Sequence, residues 1–378
     1  MSLEVLIWIA LAVLLVMGTP IFVSLGMASI TVLLLSDIPL SLVMIDLIKV
    51  SDMFPLLAVV GFVFAGALME RGGMAAQIVE VASMLVGHIR GGLGIVTILG
   101  CMFFASMIGS GPGTVAAMGS IMIPTMVRRG YSPEYAAGVC ATGGTLGILI
   151  PPSNPMIIYG VVANTSIAGL FMAGFIPGFV LTSLMCITAY CIAKKRGYQG
   201  TNEKFSIVGL CKAIWDGKWA LATPAIILGG IYWGVFTPTE AAEVGVLWTL
   251  FVGLFVYRKL TWKNISSALI RTSAFAGSAT VLVGVSMAFS RLLTLYHIPQ
   301  SVGAFLGSIS TDPTITLLLI AFFIFLCGFV ADTLAMVVVL APVFLPITNA
   351  LGIHPIQLGI LFVGETTLTL IQLRARHA

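Results

Sequence analysis

Two short stretches gather hydroxyls, an amide and helix-breaking residues inside otherwise apolar sequence. The first is Gly109-Ser110-Gly111-Pro112-Gly113-Thr114. The second lies within GTLGILIPPSNPMIIYG, residues 144–160, where Pro151, Pro152 and Pro155 remove backbone donors and forbid helix continuation. A broken helix leaves carbonyls without partners, and in hydrocarbon these persist only where protein, water or an ion satisfies them. Brought together, the two breaks offer carbonyls, the hydroxyls of Ser110, Thr114, Thr145 and Ser153, and the Asn154 amide. Hard oxygens without a fixed charge suit a sodium ion. Half-helix N-termini attract an anionic substrate. The competing reading is a pair of Gly/Pro kinks in ordinary spans.

Other chemistries lack their residues. The six cysteines, Cys101, Cys140, Cys186, Cys191, Cys211 and Cys327, contain no C-x-x-C pair. Neither H-E-x-x-H nor G-x-S-x-G occurs, so no metal-assisted or nucleophilic enzyme and no cofactor is indicated. Only 8% of the 378 residues are charged and 59% are hydrophobic, too little charge to cover a water-facing surface. A net charge of +4 is too small and scattered for nucleic acid. At ~20 apolar residues per span there is room for about ten membrane segments, so the partners begin with membrane lipid.

The elements that must position the breaks follow from hydropathy. Apolar stretches run near 5–36, 54–69, 92–109, 114–127, 134–163, 168–193, 219–236, 239–257, 266–290, 313–331, 334–348 and 356–371. The first, interrupted at Gly18-Thr19-Pro20, reads as one tilted helix or two short ones. Lys194, Lys195 and Arg196 open a polar stretch to about 218, which reads as an amphipathic surface helix. Arg258, Lys259 and Lys263 mark a second basic loop, so both loops face the cytoplasm. Between them, Thr237, Pro238 and Glu240 spell a capping box. Trp215, Trp219, Trp233, Trp248 and Trp262 read as interfacial anchors.

A repeat is visible within the chain. Pro124, Gly130 and Pro133 align with Pro346, Gly352 and Pro355 at an offset of 222, which places Ser110 on Asp332. The basic residues Arg71, Arg90, Arg128 and Arg129 flank the first copy on one side. Segments 92–109 and 114–127 then form a hairpin entering from the cytoplasm with its tip at Ser110. The second hairpin, with its tip near Asp332, enters from outside. Opposite copies of this kind are the pattern of inverted-repeat secondary transporters. Asp332, an acid in an apolar setting, is a functional candidate and also a candidate helix cap. Arg291 reads as a snorkelling residue or as a contact for a substrate carboxylate.

At GSGPGTVAAMGSIMIP (109–124), GTLGILIPPSNPMIIYG (144–160) and GVFTPTEAAEVGV (234–246), the chain resembles the large membrane subunit of the tripartite ATP-independent periplasmic (TRAP) transporters. The resemblance runs to about residue 364. It implies an all-α polytopic fold of the elevator-type ion-transporter superfamily, with inverted repeats, re-entrant hairpins and broken helices. It implies a multi-pass subunit of the bacterial inner membrane, a small four-helix membrane partner, a periplasmic binding protein delivering an organic acid such as a C4-dicarboxylate or a sialic acid, and sodium as coupling ion. The sodium and substrate site it implies comprises Gly109, Ser110, Gly111, Thr114, Thr145, Gly147, Pro151, Pro152, Ser153 and Asn154, with Asp332 and Thr333 in a second half-site. The organisation expected is an N-terminal scaffold segment (1–53), a first repeat (54–193), an amphipathic segment with scaffold spans (194–265) and a second repeat (266–378).

The sequence departs from the family pattern at its end. The offset puts a second Pro-Pro break near Leu373-Arg374, but no proline follows Pro355, and the chain reads GETTLTLIQLRARHA. Arg374, Arg376 and His377 fall at an expected midplane depth, where charge is costly. A truncated or frameshifted product with weak or no uptake is the expectation. The rival functions are a non-transporting scaffold subunit and a channel.

Overall fold

The computed structural model describes the backbone of residues 3–36, 38–201, 205–310, 312–329 and 331–376, with side chains described between 5 and 371. Its described residues are helical, with no strand among them. In chain order the helices are α1 (Leu3–Val16), α2 (Ile21–Leu34), α3 (Ser41–Ser51), α4 (Leu56–Arg71), α5 (Met74–Val86), α6 (Gly92–Ile108) and α7 (Gly111–Arg128). Next come α8 (Pro133–Gly144), α9 (Leu146–Leu149), α10 (Asn154–Val162), α11 (Ile167–Arg196) and α12 (Ile207–Tyr232). The rest are α13 (Pro238–Phe251), continued by one π-turn (Val252–Val256), α14 (Trp262–Leu295), α15 (Ile298–Ile309), α16 (Pro313–Cys327), α17 (Thr333–Ala350) and α18 (Pro355–Arg376).

Among the described residues, five helical stretches are long and apolar enough to cross a membrane: Pro133–Val162, Ile167–Arg196, Pro238–Val256, Trp262–Leu295 and Thr333–Ala350. Helices α1, α2, α5 and α6 are apolar but shorter. The room for about ten spans is thus partly taken by half-length elements. The first apolar stretch resolves into two helices, because Gly18 turns the chain at φ 77° and Pro20 precedes α2.

The chain divides into two compact units. One comprises Leu57–Met156, Ile167–Thr272 and Thr367–Ala378. Its core packs Phe104, Met107, Met118, Met122, Met126, Cys101 and Leu146, all buried. Unbranched methionines suit such a core because they fill irregular gaps between closely approaching helices. Within it Thr97 Oγ1 donates to Met126 Sδ (3.4 Å) across the turn at Gly109–Ser110, so α6 and α7 run antiparallel as a hairpin. The capping box forms as the sequence predicts: Glu240 N donates to Thr237 Oγ1 (3.3 Å) and Thr237 N to Glu240 Oε2 (2.8 Å).

The other unit comprises Met1–Leu56, Ile157–Ser166 and Ser273–Thr366. It holds the second hairpin, where Phe323 of α16 meets Phe344 of α17 edge-on at 5.8 Å. Tyr159 donates to the Pro355 carbonyl (2.7 Å), and its ring lies 6.0 Å from Phe362. The anticipated scaffold is distributed over both units, with residues 1–53 in this one and 219–257 in the other.

Three expectations change. The segment near 207–218 is no separate surface helix. It is the first half of α12, an uninterrupted helix, and Ala213, Gly217 and Ala220 on one face of it are buried. Trp219 and Trp248 are half-buried and pack ring to ring at 5.6 Å, whereas Trp215, Trp233 and Trp262 are exposed. Helices α3, α5 and α15 occupy segments that hydropathy alone passed over, because each is short and carries polar residues.

Candidate functional site: two interrupted helices and their junction

Gly109 ends α6 in the left-handed region at φ 65°, with its N–H donating to Ala105 O (3.1 Å). Only glycine adopts this readily, and Ser110 then starts α7 with extended backbone. The α8–α10 stretch is interrupted between Ile150 and Ser153, where two prolines remove the donors that would continue it. The two interruptions meet. Asn154 N donates to Gly109 O (3.0 Å). A Cβ on Gly109 would sit 2.7 Å from the Pro152 oxygen, and one on Gly147 would sit 2.7 Å from both Ser110 O and Thr114 Oγ1. The backbones therefore approach as closely as glycine permits, at two separate points.

The polar groups at this junction fall into two sets. Thr114 Oγ1 donates to Ser110 O (2.9 Å), Thr145 Oγ1 to Thr142 O (2.7 Å), and Ser153 Oγ to Ile148 O. Thr114, Thr145 and Ser153 are fully buried. A hydroxyl whose proton is committed to a carbonyl presents only lone pairs outward, and Ser153 Oγ already accepts from Met156 N (3.5 Å). The second set is unsatisfied. Asn154 is 2% exposed, and neither its Oδ1 nor its Nδ2 has a hydrogen-bond partner. Ser110, the N-cap residue of α7, makes no side-chain capping bond. A buried amide left unpaired costs about 1–3 kcal/mol, so this position calls for a ligand. Neutral oxygen donors of this kind fit a small hard cation. No cluster of three His, Cys, Asp or Glu side chains able to hold a metal occurs among the described residues.

Of the residues singled out from sequence, Gly109, Ser110, Gly111, Thr114, Thr145, Gly147, Pro151, Pro152, Ser153 and Asn154 all lie at this junction or its immediate turns. Asp332 and Thr333 lie in the other unit. There Asp332 is exposed and accepts from Leu334 N (3.2 Å), acting as the N-cap of α17, while Thr333 is buried. The described helix α18 runs without interruption from Pro355, so no second Pro-Pro break is present in it. The side chains of Arg374 and Arg376, and residue His377, lie outside the described residues.

Sequence reasoning missed one interaction. Arg291 Nη2 contacts Asp46 Oδ1 at 2.6 Å. The available signal was Asp46 itself, an acid within the apolar run SLVMIDLIKV.

The family model described as "Tripartite ATP-independent periplasmic transporter, DctM component" matches residues 8–372. This chain belongs to that family. Its members form one component of a three-part transporter, and the chain is a multi-pass membrane protein of that kind. It is 38% identical to the C4-dicarboxylate TRAP transporter large permease protein DctM of Pseudomonas aeruginosa, over 92% of this chain and 82% of that one. It is 38% identical to the sialic acid TRAP transporter large permease protein SiaM of Vibrio cholerae, over 82% of this chain and 73% of that one. Its match to the isethionate TRAP transporter permease protein DctMQ of Oleidesulfovibrio alaskensis is 36% identical and covers 93% of this chain, which spans about half (56%) of that longer protein. Among solved structures, the Alcanivorax borkumensis YdaH transporter shares the fold, with a TM-score of 0.58 at 16% identity over 86% of this chain and 78% of that one.

Proposed function

We propose that the chain is the transport subunit of a sodium-coupled secondary transporter in the bacterial inner membrane. Its cargo is an organic acid handed over by a periplasmic binding protein, and a small four-helix membrane subunit accompanies it. The observation that carries the reading is the buried, unpartnered Asn154 amide where two interrupted helices meet. A sodium ion at Asn154 Oδ1 would satisfy the oxygen of that amide without a fixed negative charge, and Asn154 Nδ2 would remain a donor for a substrate carboxylate. With no resident carboxylate among these ligands, the bound ion keeps its positive charge. That charge and the positive ends of α7 and α10 favour a carboxylate arriving next. Ion and acid thereby stabilise each other's binding, which is what coupling requires. Asp332 and Thr333 are assigned to a second half-site of the same transport cycle. Alternating access then moves the tip-bearing segments against the remainder in an elevator-type step.

The test is uptake of labelled C4-dicarboxylate into proteoliposomes holding the chain with its membrane partner and binding protein. A sodium gradient should drive uptake and its collapse should stop it. Asn154→Ala should reduce uptake at least tenfold while the complex still assembles. Counterflow of labelled substrate should be present, as for a carrier and not a channel. Uptake indifferent both to sodium and to Asn154→Ala would reject the reading.

A further inference from the structure

Helix α12 changes character at its middle. Before residue 219 it carries Lys212, Asp216 and Lys218, and from there to Tyr232 it holds no charged residue. Such a change, with tryptophans at it, marks the boundary between water and hydrocarbon. A cavity of about 690 Å3 lies at this level, within the ~300–1,000 Å3 of small-ligand sites. Glu80 and Gln77 of α5, Asp216 and Lys218 of α12, and Tyr257 after the π-turn line it. Two tryptophans complete the wall: Lys218 Nζ sits 3.5 Å from the Trp215 ring centroid and 5.7 Å from that of Trp219. Tyr257 Oη donates to the Asp216 carbonyl (3.2 Å), which ties the end of the π-turn to α12.

From this cavity an apolar face leads into the hydrocarbon level. Trp219 packs on Trp248, whose Nε1 donates to the Trp219 carbonyl (3.2 Å), and the Phe251 ring lies 6.4 Å from that of Trp219. Phe251 and Leu247, one turn apart on α13, are 46% and 68% exposed. A charged end joined to an apolar path has the shape of a phospholipid, not of a soluble metabolite. The charges then choose the headgroup. Lys218 asks for an anion, which a phosphate supplies. Glu80 and Asp216 can only accept, so they ask for a cation that donates hydrogen bonds. Phosphatidylglycerol brings no cation. Phosphatidylcholine brings one without an N–H, and the aromatic face that would hold a quaternary ammonium already holds Lys218. An ethanolamine headgroup has both the phosphate and three ammonium donors.

We propose that this cavity binds the headgroup of phosphatidylethanolamine, with its phosphate on Lys218 and its ammonium between Glu80 and Asp216, while an acyl chain follows Phe251 and Leu247 along α13. The lipid joins α5, α12 and the turn after α13 at the membrane boundary. The inference concerns neither cargo nor coupling ion, so it stands or falls apart from the function proposed above.

Competition among lipids tests it. The delipidated full chain in detergent is offered equal amounts of phosphatidylethanolamine, phosphatidylcholine and phosphatidylglycerol with the same acyl chains, and native mass spectrometry reads which is retained. Phosphatidylethanolamine should be retained about fivefold or more over each of the others. Glu80→Gln combined with Asp216→Asn should bring it within about twofold of phosphatidylcholine. Both residues are exposed, so neither change strands a buried charge. Lys218→Gln, which keeps both carboxylates, should weaken all three lipids about threefold. Glycerophosphoethanolamine, the headgroup without chains, should leave the lipid in place at millimolar concentration. The proposal is overturned if phosphatidylcholine or phosphatidylglycerol is retained as well as phosphatidylethanolamine, if the preference survives loss of both carboxylates, if Lys218→Gln changes nothing, or if the chain-free headgroup displaces the lipid.

Discussion

Helices α7 and α17 occupy matching places in the two repeats, and each has 18 residues. Their C-terminal ends match bond for bond. Gly130 and Gly352 adopt φ 84° and 73°, and the following residues return to the helix, Tyr131 N to Met126 O (3.1 Å) and Ile353 N to Thr348 O (2.9 Å). This is the glycine-closed end that a left-handed residue allows. Their N-terminal ends differ. Ser110 leaves the α7 terminus uncapped by its side chain, while Asp332 caps α17. Gly109 precedes Ser110 at φ 65°, pressed against the Pro152 carbonyl, and the matching position in the second repeat is Ala331. The first copy also breaks after α8, whereas α18 continues. The two repeats thus carry differently equipped tips. The first tip rests on a second backbone break, beside an Asn154 side chain without a hydrogen-bond partner. The second is closed locally by its own acid.

The comparison breaks most decisively on sidedness. Arg128 and Asn349 are both exposed near the ends of these helices. Cysteines placed there should react with an impermeant maleimide from opposite faces of the membrane. Labelling from one common face would remove the inverted relation of the repeats. Next in size is the glycine difference. Gly109→Ala forces a side chain into the left-handed region and onto a carbonyl, and should destabilise by about 2 kcal/mol or more. Ala331→Gly should cost no more than about 1 kcal/mol. Thermal unfolding in detergent reads both, and equal effects would mean the two turns are equivalent. The smallest contrast is the cap. Asp332→Ala should lose about 1 kcal/mol of stability, while Ser110→Ala should stay within about 0.5 kcal/mol and show its effect in sodium-dependent uptake instead. A larger stability loss at Ser110 would show that its hydroxyl serves the helix and not a ligand.

Much of this was readable beforehand because proline and glycine act locally. Pro151 and Pro152 forbid a continuous helix wherever they are placed, and the constant spacing of Pro124, Gly130 and Pro133 against Pro346, Gly352 and Pro355 exposed the repeat before any contact was known. Hydropathy located the long helices for the same reason, since a span needs an apolar run. It missed α3, α5 and α15, whose polar residues dilute the signal, and it split α12, whose lysines precede its apolar half. The Asp46–Arg291 pair was invisible because its members lie far apart in the chain and α3 itself had been passed over.

The order of residues alone settled where helices stop, which hydroxyls and amides stand at the stops, and that the chain has too little charge to live in water, because each follows from backbone donors, ring constraints and solvation along a short stretch. Folding in three dimensions decided which of those groups find partners. It joined Asn154 N to Gly109 O yet left the Asn154 side chain unmatched, and it paired Arg291 with Asp46 yet left Asp46 Oδ2 and the Ser286 hydroxyl without partners. Satisfaction of a polar group depends on distances between segments remote in sequence, and those are fixed only when the helices pack.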